Sequence, residues 1–466
     1  MAGSVLEERK SLHVPAACND LPKGWAWSRL DDVSDGVFDC PHSTPQLTET
    51  GPCVVRTQDI ITGSFRADQA GRVSEETYRE RIARVTPSHG DLLYSREGTY
   101  FGIAAEVPAN TRICLGQRMV LIRPDTHHVD FSYLRYWLNS PIMATHIHGY
   151  RDGSVAERLN LPTIRALPIL IPPLAEQKAI AHILGTLDDK IELNRRMNET
   201  LEAMARAIFK SWFVDFDPVR AKAEGLNPGL PKPIAELFPD SFEDSELGKI
   251  PKGWQVKAIS EMTFRVTKGD TPRNEALNAA PVGDCLIPML RVNAISEDGE
   301  VLMDKVEFIP ESIHLGKSKR SVLQADDILY TNAGTIGRVS IVHEELLPAN
   351  TNQAIAIIRP NPAAVPPAFL FMAMRQPAFR AELHRDIVHA VQANLALGKI
   401  SDAKHAFPPV DSMFQLFEPI SKALSTIWQN RRQSRTLAAL RDALLPKLLS
   451  GEVRVPDAEK LVEPTL

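Results

Sequence analysis

The sequence contains Asp91-Leu92-Leu93-Tyr94-Ser95, followed shortly by Gly98-Thr99. The same pattern returns in the second half of the chain as Asp327-Ile328-Leu329-Tyr330-Thr331, followed by Gly334-Thr335. An apolar run with high β propensity that ends near a glycine predicts a short strand leading into a turn. Because the strand and the turn both recur, we expect the fold to be built from two copies of one module.

The alignment that sets Asp91 against Asp327, which we call the repeat register, holds over most of the chain. It relates Pro172-Pro173 to Pro408-Pro409, and Asn194-Arg195-Arg196 to Asn430-Arg431-Arg432. The Pro-Lys-Gly-Trp turn that opens each copy returns in a slightly different alignment, the opening register, which sets Trp25 against Trp254. One register shared by so many motifs indicates a tandem duplication of a β-rich module.

Each copy ends in a predicted long helix. The stretch from Ala175 to Trp212 contains no proline and a single glycine, Gly185. Its apolar residues recur at alternating spacings of three and four residues. The predicted seam residues are Leu184, Leu187, Ile191, Asn194, Leu201 and Ile208 in the first helix and Ile420, Ile427, Asn430, Leu437 and Leu444 in the second. Either helix alone could pack on its own domain. Two equivalent helices favour helix-on-helix pairing, and the seam asparagines would fix its register.

Composition limits the class of protein. A chain of 466 residues exceeds what one hydrophobic core supports, so we expect at least two domains. No apolar run is long enough to span a bilayer, and the charged Met1–Lys10 segment does not resemble a signal peptide, so we expect a cytoplasmic protein. The five cysteines lack Cys-x-x-Cys spacing, which predicts reduced thiols. With a net charge of −5, any surface that binds nucleic acid must be local.

Motifs that would indicate catalysis are missing from the sequence. Gly316-Lys317-Ser318 has Glu311 where a phosphate-binding loop requires glycine, and the Pro-Pro pairs lack the Asn or Asp of an adenine methyltransferase motif. Neither Gly-x-Ser-x-Gly nor His-Glu-x-x-His occurs, and His127-His128, His146 and His148 lack the company of other metal ligands. We therefore predict a non-enzyme without a metal site. An autonomous methyltransferase or nuclease with an unfamiliar site is a rival interpretation.

Polar and basic residues beside the predicted strands are of the types that contact bases and phosphates. The candidates in the first copy are Arg56, Thr57, Gln58, Ser95, Arg96, Gln117 and Arg118. Those in the second copy are Arg291, Asn293, Lys317, Lys319, Arg320, Thr331, Asn332, Thr335 and Gln353. Each of them alone could be an ordinary exposed loop residue. The alternative in another class is a scaffold whose two modules bind protein and whose helices space them.

Three stretches resemble a known family. The run from Ile171-Pro172-Pro173-Leu174-Ala175-Glu176-Gln177 to Ile180, with Phe209-Lys210-Ser211-Trp212 onward to Val219, resembles the central conserved region of type I restriction specificity subunits. The strand and loop from Ile328 to Gly337 resemble the target-recognition domain of that family. The resemblance implies two target-recognition domains, each reading one half of a bipartite, asymmetric DNA site, and conserved helices that pair as an antiparallel coiled coil.

The resemblance also implies partners. Two methyltransferase subunits and motor-nuclease subunits would assemble with the chain, and S-adenosylmethionine, ATP and magnesium would belong to those subunits. Glu176 and Gln177 are candidates for contact with a partner or with the second helix. The second copy departs from the motif, because Val410-Asp411-Ser412-Met413 lacks the Glu-Gln pair.

The predicted fold class is α+β, with each β-rich domain followed by a long helix. The predicted organisation is an N-terminal tail (1–20), a first target-recognition domain (21–173), a central helix (174–214), a linker (215–249), a second target-recognition domain (250–409), a distal helix (410–451) and a C-terminal tail (452–466).

Overall fold

The computed structural model describes residues 14–15, 21–60, 63–98, 100–148, 158–278, 283–384 and 394–465. The chain divides into two units, one formed by residues 1–195 together with 431–466 and the other by residues 196–430. Each of the two long helices contributes one part to each unit. Thr99 of the repeated motif and Cys18 lie outside the described residues.

Within its described residues, the first unit contains three sheets. Its strands are β1 (Ala26–Arg29), β2 (Ser34–Asp39), β3 (Thr48–Val55), β4 (Gly71–Arg72), β5 (Leu92–Ser95), β6 (Ala104–Glu106), β7 (Ile113–Leu115), β8 (Met119–Pro124) and β9 (Pro168–Ile171). Its helices are α1 (Glu75–Arg81), α2 (Phe131–Leu138), α3 (Pro141–His148), α4 (Leu161–Arg165), the first part of α5 (Leu174–Phe213), and, near the C-terminus, the last part of α13 (Val410–Ser450) and α14 (Val455–Val462).

The described part of the second unit contains four sheets, one of which is a hairpin. Its strands are β10 (Phe242–Ser245), β11 (Gly248–Pro251), β12 (Gln255–Ala258), β13 (Thr263–Lys268), β14 (Leu286–Leu290), β15 (Glu307–Pro310), β16 (Ile328–Thr331), β17 (Val339–Ile341), β18 (Asn350–Thr351), β19 (Ile355–Pro360) and β20 (Lys404–Phe407). Its own helices are α6 (Asp217–Ala223), α7 (Lys232–Ala235), α8 (Asn274–Asn278), α9 (Glu311–Leu315), α10 (Pro367–Met374), α11 (Pro377–His384) and α12 (Leu397–Asp402).

Both units repeat one sheet topology. The four-stranded sheet has the order β2-β8-β5-β6 in the first unit and β13-β19-β16-β17 in the second. The three-stranded sheet has the order β4-β3-β7 and, correspondingly, β15-β14-β18, and each contains one parallel pair. The structure therefore confirms the tandem duplication and the α+β fold class.

The repeated strand is apolar up to its last residue, Ser95 or Thr331, because both faces of its sheet are covered. Leu92 and Tyr94 pack in one core cluster, while Leu93, on the opposite face, packs in another. In the second unit, Ile328 and Tyr330 share one cluster and Leu329 lies in a different one. A strand buried on both faces loses the apolar-polar alternation of a half-exposed strand.

The long helices pair in opposite directions within each unit. In the first unit, Asn194 Nδ2 donates to Gln433 Oε1 (3.0 Å) and Ser434 Oγ (3.3 Å). In the second unit, Asn430 Nδ2 donates to Asn198 Oδ1 (2.9 Å). Residue numbers rise along one helix as they fall along its partner, so the pairing is antiparallel. Of the predicted seam residues, Leu184, Leu187, Asn194, Ile420, Ile427, Leu437 and Leu444 are buried, and Ile191, Leu201, Ile208 and Asn430 are partly buried.

One polar cluster of the first unit has an apolar counterpart in the second. Asp188 on α5 accepts from Tyr136 Oη (2.6 Å) and from Arg441 on α13 (2.7 Å). In the repeat register these three correspond to Leu424, Met372 and Ala205, all of them buried. Arg135 adds to the polar cluster, with 3.8 Å to Asp188 and 3.0 Å to Glu106. The two units thus fill one position of the same framework with charges in one case and with hydrocarbon in the other.

The segment from 215 to 249, which the sequence predicts as a linker, is structured. It forms α6, α7 and β10, and Phe238 is buried against Trp212 with ring centroids 5.5 Å apart. Lys222 Nζ donates to the backbone oxygen of Ala235 (3.1 Å). Aromatic residues spaced among the prolines and glycines give this segment apolar surface to bury, which a flexible linker does not have.

Among the described residues, no helix is both long enough and apolar enough to cross a membrane.

His405 on β20 lies among aromatic rings of the second unit. Its ring centroid is 5.3 Å from that of Phe407 and 5.9 Å from that of Phe369, and its Nε2 is buried without a hydrogen-bond partner. Burial lowers the pKa of His405 to about 4. The equivalent residue of the first copy is Ile169, which is fully buried. An apolar side chain therefore fits this position of the framework.

Replacing His405 with isoleucine is expected to make the second unit less sensitive to acid. The unfolded chain binds a proton at His405 near pH 6.5 and the folded chain only near pH 4, so the wild type loses stability as pH falls between these values. The loss from this residue is about 1–2 kcal/mol at pH 5 relative to pH 7. Denaturant unfolding of wild type and His405→Ile at both pH values measures it. Equal losses in the two proteins would contradict the prediction.

Candidate nucleic-acid interface

A hydroxyl group closes the loop that follows β5 in the first copy. Ser95 Oγ accepts from the backbone N–H of Ile103 (3.0 Å) and donates to the backbone oxygen of Tyr100. The backbone N–H of Gly102 donates to the carbonyl oxygen of Ser95 (2.6 Å), with Gly102 at a φ of 79°. Ser95 is fully buried, so its hydroxyl shapes the loop from inside.

Thr331 closes the equivalent loop in the second copy. Its Oγ1 donates to the backbone oxygen of Thr335 (2.6 Å) and accepts from the backbone N–H of Arg338 (2.9 Å). Gly337, at a φ of 91°, donates its N–H to the carbonyl oxygen of Thr331 (2.9 Å). Thr331 is fully buried as well. The backbone N–H that donates to the hydroxyl lies eight residues after Ser95 in the first copy and seven residues after Thr331 in the second. The first loop therefore carries one extra residue.

Backbone hydrogen bonds bring the other candidates to the same end of each domain. In the first copy, the N–H of Arg96 donates to the oxygen of Arg118 (3.1 Å), next to Gln117. The N–H of Gly116 donates to the oxygen of Val55 (2.8 Å), which places Arg56 beside the same turn. Four candidates that are far apart in sequence therefore converge.

The same convergence occurs in the second copy. The N–H of Asn332 donates to the oxygen of Ala354 (2.9 Å), beside Gln353. The N–H of Asn352 donates to the oxygen of Leu290 (3.1 Å), which brings Arg291 to this turn. The matching hydrogen bonds make three pairs of positions equivalent, namely Arg56 and Arg291, Arg96 and Asn332, and Gln117 and Gln353.

The convergence point of the first copy is built around an ion pair. The guanidinium of Arg96 donates to both carboxylate oxygens of Asp39 (2.9 and 3.0 Å), and Arg96 is buried. His42 Nε2 lies 3.3 Å from the same carboxylate. Gln117 is exposed, and its Oε1 accepts from Thr44 Oγ1 (3.0 Å). This surface presents an amide, a hydroxyl and an imidazole.

The convergence point of the second copy is a cleft of about 330 Å³ rich in amides. Asn332, Gln353, Asn394 and Lys268 line it with polar groups. Asn332 Nδ2 donates to Asn394 Oδ1 (3.3 Å) and to the oxygen of Leu395 (3.4 Å), while its Oδ1 is buried without a partner. This cleft, which we call the amide cleft, is therefore lined by amide groups, and one of them has an acceptor oxygen without a hydrogen-bond partner.

Asp39 and Lys268 are residues that the sequence did not single out. Asp39 pairs with Val120 across the sheet, and Lys268 pairs with Ala356 at the equivalent place. They align in the opening register, so a search in the repeat register does not match them. Aligning strands β2 and β13 from the Pro-Lys-Gly-Trp motif would have found them.

The remaining candidates lie around these convergence points. Arg56 is held by Asp59 (3.0 Å), Arg291 by Glu307 (2.7 Å) and Arg320 by Asp270 (2.9 Å). Arg118 is exposed at a φ of 71°, 3.6 Å from Glu97. Of the others, Gln58, Asn293, Lys317, Lys319 and Thr335 are exposed and Thr57 is partly buried.

Asp39, Cys40 and His42 form a group that could hold a metal ion, since their ligand atoms lie within 4.8 Å of one another. One observation argues against that use. Arg96 already neutralises the Asp39 carboxylate through two hydrogen bonds. We therefore assign no metal to this group.

The Glu-Gln pair at the start of α5 is engaged within the first unit. Gln177 is fully buried: its Nε2 donates to the oxygens of Pro172 (2.8 Å) and His128 (3.1 Å), and its Oε1 accepts from the N–H of Asp130 (2.9 Å). Glu176 accepts from Trp25 Nε1 (3.0 Å) and pairs with Arg454 (2.6 Å). These contacts hold α5 against its own domain.

The second copy does not need this glutamine, which explains its departure from the motif. Pro366 stands where Asp130 stands in the first copy, and proline has no N–H to donate. Met413, the equivalent of Gln177, is accordingly buried as an apolar side chain.

Comparison with known proteins gives a consistent result. The family described as the type I restriction modification DNA specificity domain matches residues 22–203. The chain is 26% identical to the type I restriction enzyme HindI specificity subunit of Haemophilus influenzae, with 92% of this chain and 99% of that protein covered. It is 25% identical to the type I restriction enzyme MjaIX specificity subunit of Methanocaldococcus jannaschii, with coverage of 94% and 95%.

The fold also has a counterpart among solved structures. The S subunit of the type I restriction-modification system from M. genitalium matches with a TM-score of 0.58 at 15% identity, with 92% of this chain and 96% of that chain covered. At this identity the match concerns the fold alone.

Proposed function

Since the chain belongs to the specificity subunits of type I restriction-modification enzymes, we propose that its two convergence points read the two halves of a bipartite, asymmetric DNA sequence. The chain is the DNA-recognition component of the system. Reading a sequence in this way directs adenine methylation and restriction by partner subunits to chosen sites.

The observation that carries the proposal is that one framework presents different chemistry in its two copies. The residue that follows Ser95, whose hydroxyl closes the loop of the first copy, is Arg96, and it pairs with Asp39. The residue that follows Thr331 in the second copy is Asn332, which lies in a cleft shared with Lys268. Two identical surfaces would read two identical half-sites, whereas two different surfaces suit an asymmetric sequence.

The amide cleft favours particular base edges. The unpartnered Oδ1 of Asn332 accepts a hydrogen bond, and the exocyclic amino groups of adenine and cytosine are the donors that the major groove presents. Gln353, exposed at the same cleft, has both a donor and an acceptor and suits adenine. We expect the half-site read by the second copy to include at least one of these bases.

The partner subunits supply the chemistry in this proposal. Two methyltransferase subunits bind S-adenosylmethionine and transfer its methyl group, and motor-nuclease subunits use ATP and magnesium. The chain itself is non-catalytic and selects the site. The alternative of a protein-binding scaffold has no support among the related proteins, which are specificity subunits.

Co-expression with the methyltransferase partner tests this function. Methylated adenines mapped across a genome should fall in one motif with two different half-sites and an unread spacer. The purified chain alone, with S-adenosylmethionine and duplex DNA, should transfer no methyl groups. Methylation without a bipartite motif, or by the chain alone, would contradict the proposal.

A further inference from the structure

A second cleft of the second unit adjoins the loop that Thr331 closes. It measures about 710 Å³ and is lined from that loop by Thr335, Gly337 and Arg338. The remaining cations that line it are Arg206, Lys210, Arg375 and Arg380. We refer to it as the basic cleft.

Its charges are crowded and only partly balanced. Arg206 (2.6 Å) and Arg375 (3.0 Å) share one carboxylate, that of Glu202. Lys210 pairs with Asp215. Burial lowers the pKa of Arg375; Glu202 opposes this shift, and Arg206 adds to it. A further anion would therefore relieve repulsion among these cations.

Two arginines of the basic cleft have no acidic partner among the described residues. Within the described part of the chain, neither Arg338 nor Arg380 forms an ion pair with a carboxylate. Arg338 donates from one terminal nitrogen to the oxygen of Ile295 (2.7 Å), and its Nε is buried without a partner. Glu297 and Asp298 also line the cleft. Among the described residues, these two acids together with Glu202 and Asp215 carry four negative charges against the five cations, which leaves one positive charge in excess.

The framework does not require these cations. In the repeat register, Arg375 corresponds to Asn139 and Arg380 to Ala144. Asn139 instead exchanges two hydrogen bonds with the backbone of Ala104, each of 2.8 Å. The first copy folds in the same topology with neutral residues at these places, so the framework itself does not depend on a positive charge there.

Resting on the function proposed above, we propose that the basic cleft binds phosphate groups of the DNA backbone beside the half-site read by the second copy. Guanidinium groups bind phosphate through two parallel hydrogen bonds. Phosphate contacts fix the register of a protein on the duplex and carry no sequence information, whereas base contacts specify.

The position of Arg338 links these two tasks. Its backbone N–H and carbonyl oxygen both bond to Thr331, the residue that precedes Asn332. A phosphate held by Arg338 is therefore fixed relative to the amide cleft. An acidic segment of a protein partner would suit the charge but not this coupling to the amide cleft, so we favour DNA as the occupant.

The test uses the complex of the chain with its methyltransferase subunits. Affinity for a duplex carrying the mapped motif, and for one lacking it, is measured from about 50 to about 200 mM salt for wild type, Arg380→Gln and Arg338→Gln/Arg380→Gln. Arg380→Gln is included because Arg380 lines the cleft and forms no ion pair with a carboxylate among the described residues. Lys249→Gln/Lys252→Gln is the matched control, since both lysines are exposed and outside the cleft.

The double variant is expected to weaken binding to both duplexes by roughly 10- to 100-fold. The plot of log affinity against log salt, which falls with salt, should become shallower by about 2, since each lost phosphate contact removes about 0.9 from its slope. Arg380→Gln should make this slope shallower by about 1, and the control should leave it unchanged. The methylated motif should stay the same in all variants. Unchanged slopes in both cleft variants would overturn the inference.

Two other outcomes are distinguishable. Loss of methyltransferase subunits in size-exclusion chromatography, with an unchanged slope, would identify a protein partner as the occupant and also overturn the inference. If the wild-type complex bound both duplexes equally, the proposed function itself would fail, whatever the variants did.

Discussion

Replacing Asp188 alone with leucine is expected to cost about 2–4 kcal/mol of the stability of the first unit. The carboxylate joins three elements, because it accepts from Tyr136 of α2 and Arg441 of α13 while it lies on α5. Its removal leaves the Tyr136 hydroxyl without its acceptor and, among the described residues, leaves the partly buried Arg441 paired only with Asp442 (2.7 Å). Loss of one partner of a partly buried pair costs more stability than the intact pair contributed. Denaturant unfolding followed by a probe in the first unit measures the loss.

The second copy supplies the control for this variant. Changing all three residues to their counterparts, as Asp188→Leu, Tyr136→Met and Arg441→Ala, should recover most of the lost stability, since this apolar set already packs in the second unit. Arg135 keeps Glu106 as its partner at 3.0 Å. A triple variant no more stable than Asp188→Leu would show that the two frameworks are not equivalent at this position.

Changing Gln353 to alanine is expected to relax recognition of one half-site by about 1–3 kcal/mol per lost base contact, roughly 5- to 150-fold. Gln353 is exposed at the amide cleft, so its loss should not disturb folding. The equivalent variant, Gln117→Ala, should relax only the other half-site. Both are measured by mapping methylated adenines in cells that carry the variant and the methyltransferase partner.

The two glutamine variants serve as controls for each other. Because each residue belongs to a different unit, the bases of one half-site should become degenerate while those of the other stay fixed. Loss of specificity at both halves from either single change would rule out independent reading by the two copies.

Repetition made the fold predictable from the sequence. The repeat register, which relates Asn194 to Asn430, also relates their hydrogen-bond partners, Ser434 and Asn198. Heptad spacing identified helix seams whose residues are buried or partly buried. The segment after α5 was misjudged because its prolines and glycines outweighed the aromatic residues that pack it, such as Phe238.

The site was less predictable, because residue type does not reveal which way a side chain points. Ser95 and Thr331 have a chemistry suited to base contact, yet both are buried and close their own loops. Gln177 belongs to the most distinctive motif, but its hydrogen bonds are satisfied within the first unit. Asp39 becomes a neighbour of Arg96 only through the pairing of β2 with β8.

The pair between Asp188 and Arg441 also bears on which helices find each other when many copies of the chain are synthesised together. Two first helices from different molecules, aligned antiparallel in the same register, would set Asp188 opposite Ala205. Two second helices would set Arg441 opposite Leu424. Either encounter removes the ion pair between the two helices and sets one of its charged groups against an apolar side chain, which is unfavourable. Pairing of a first helix with a second helix is therefore favoured over pairing of two like helices from different molecules.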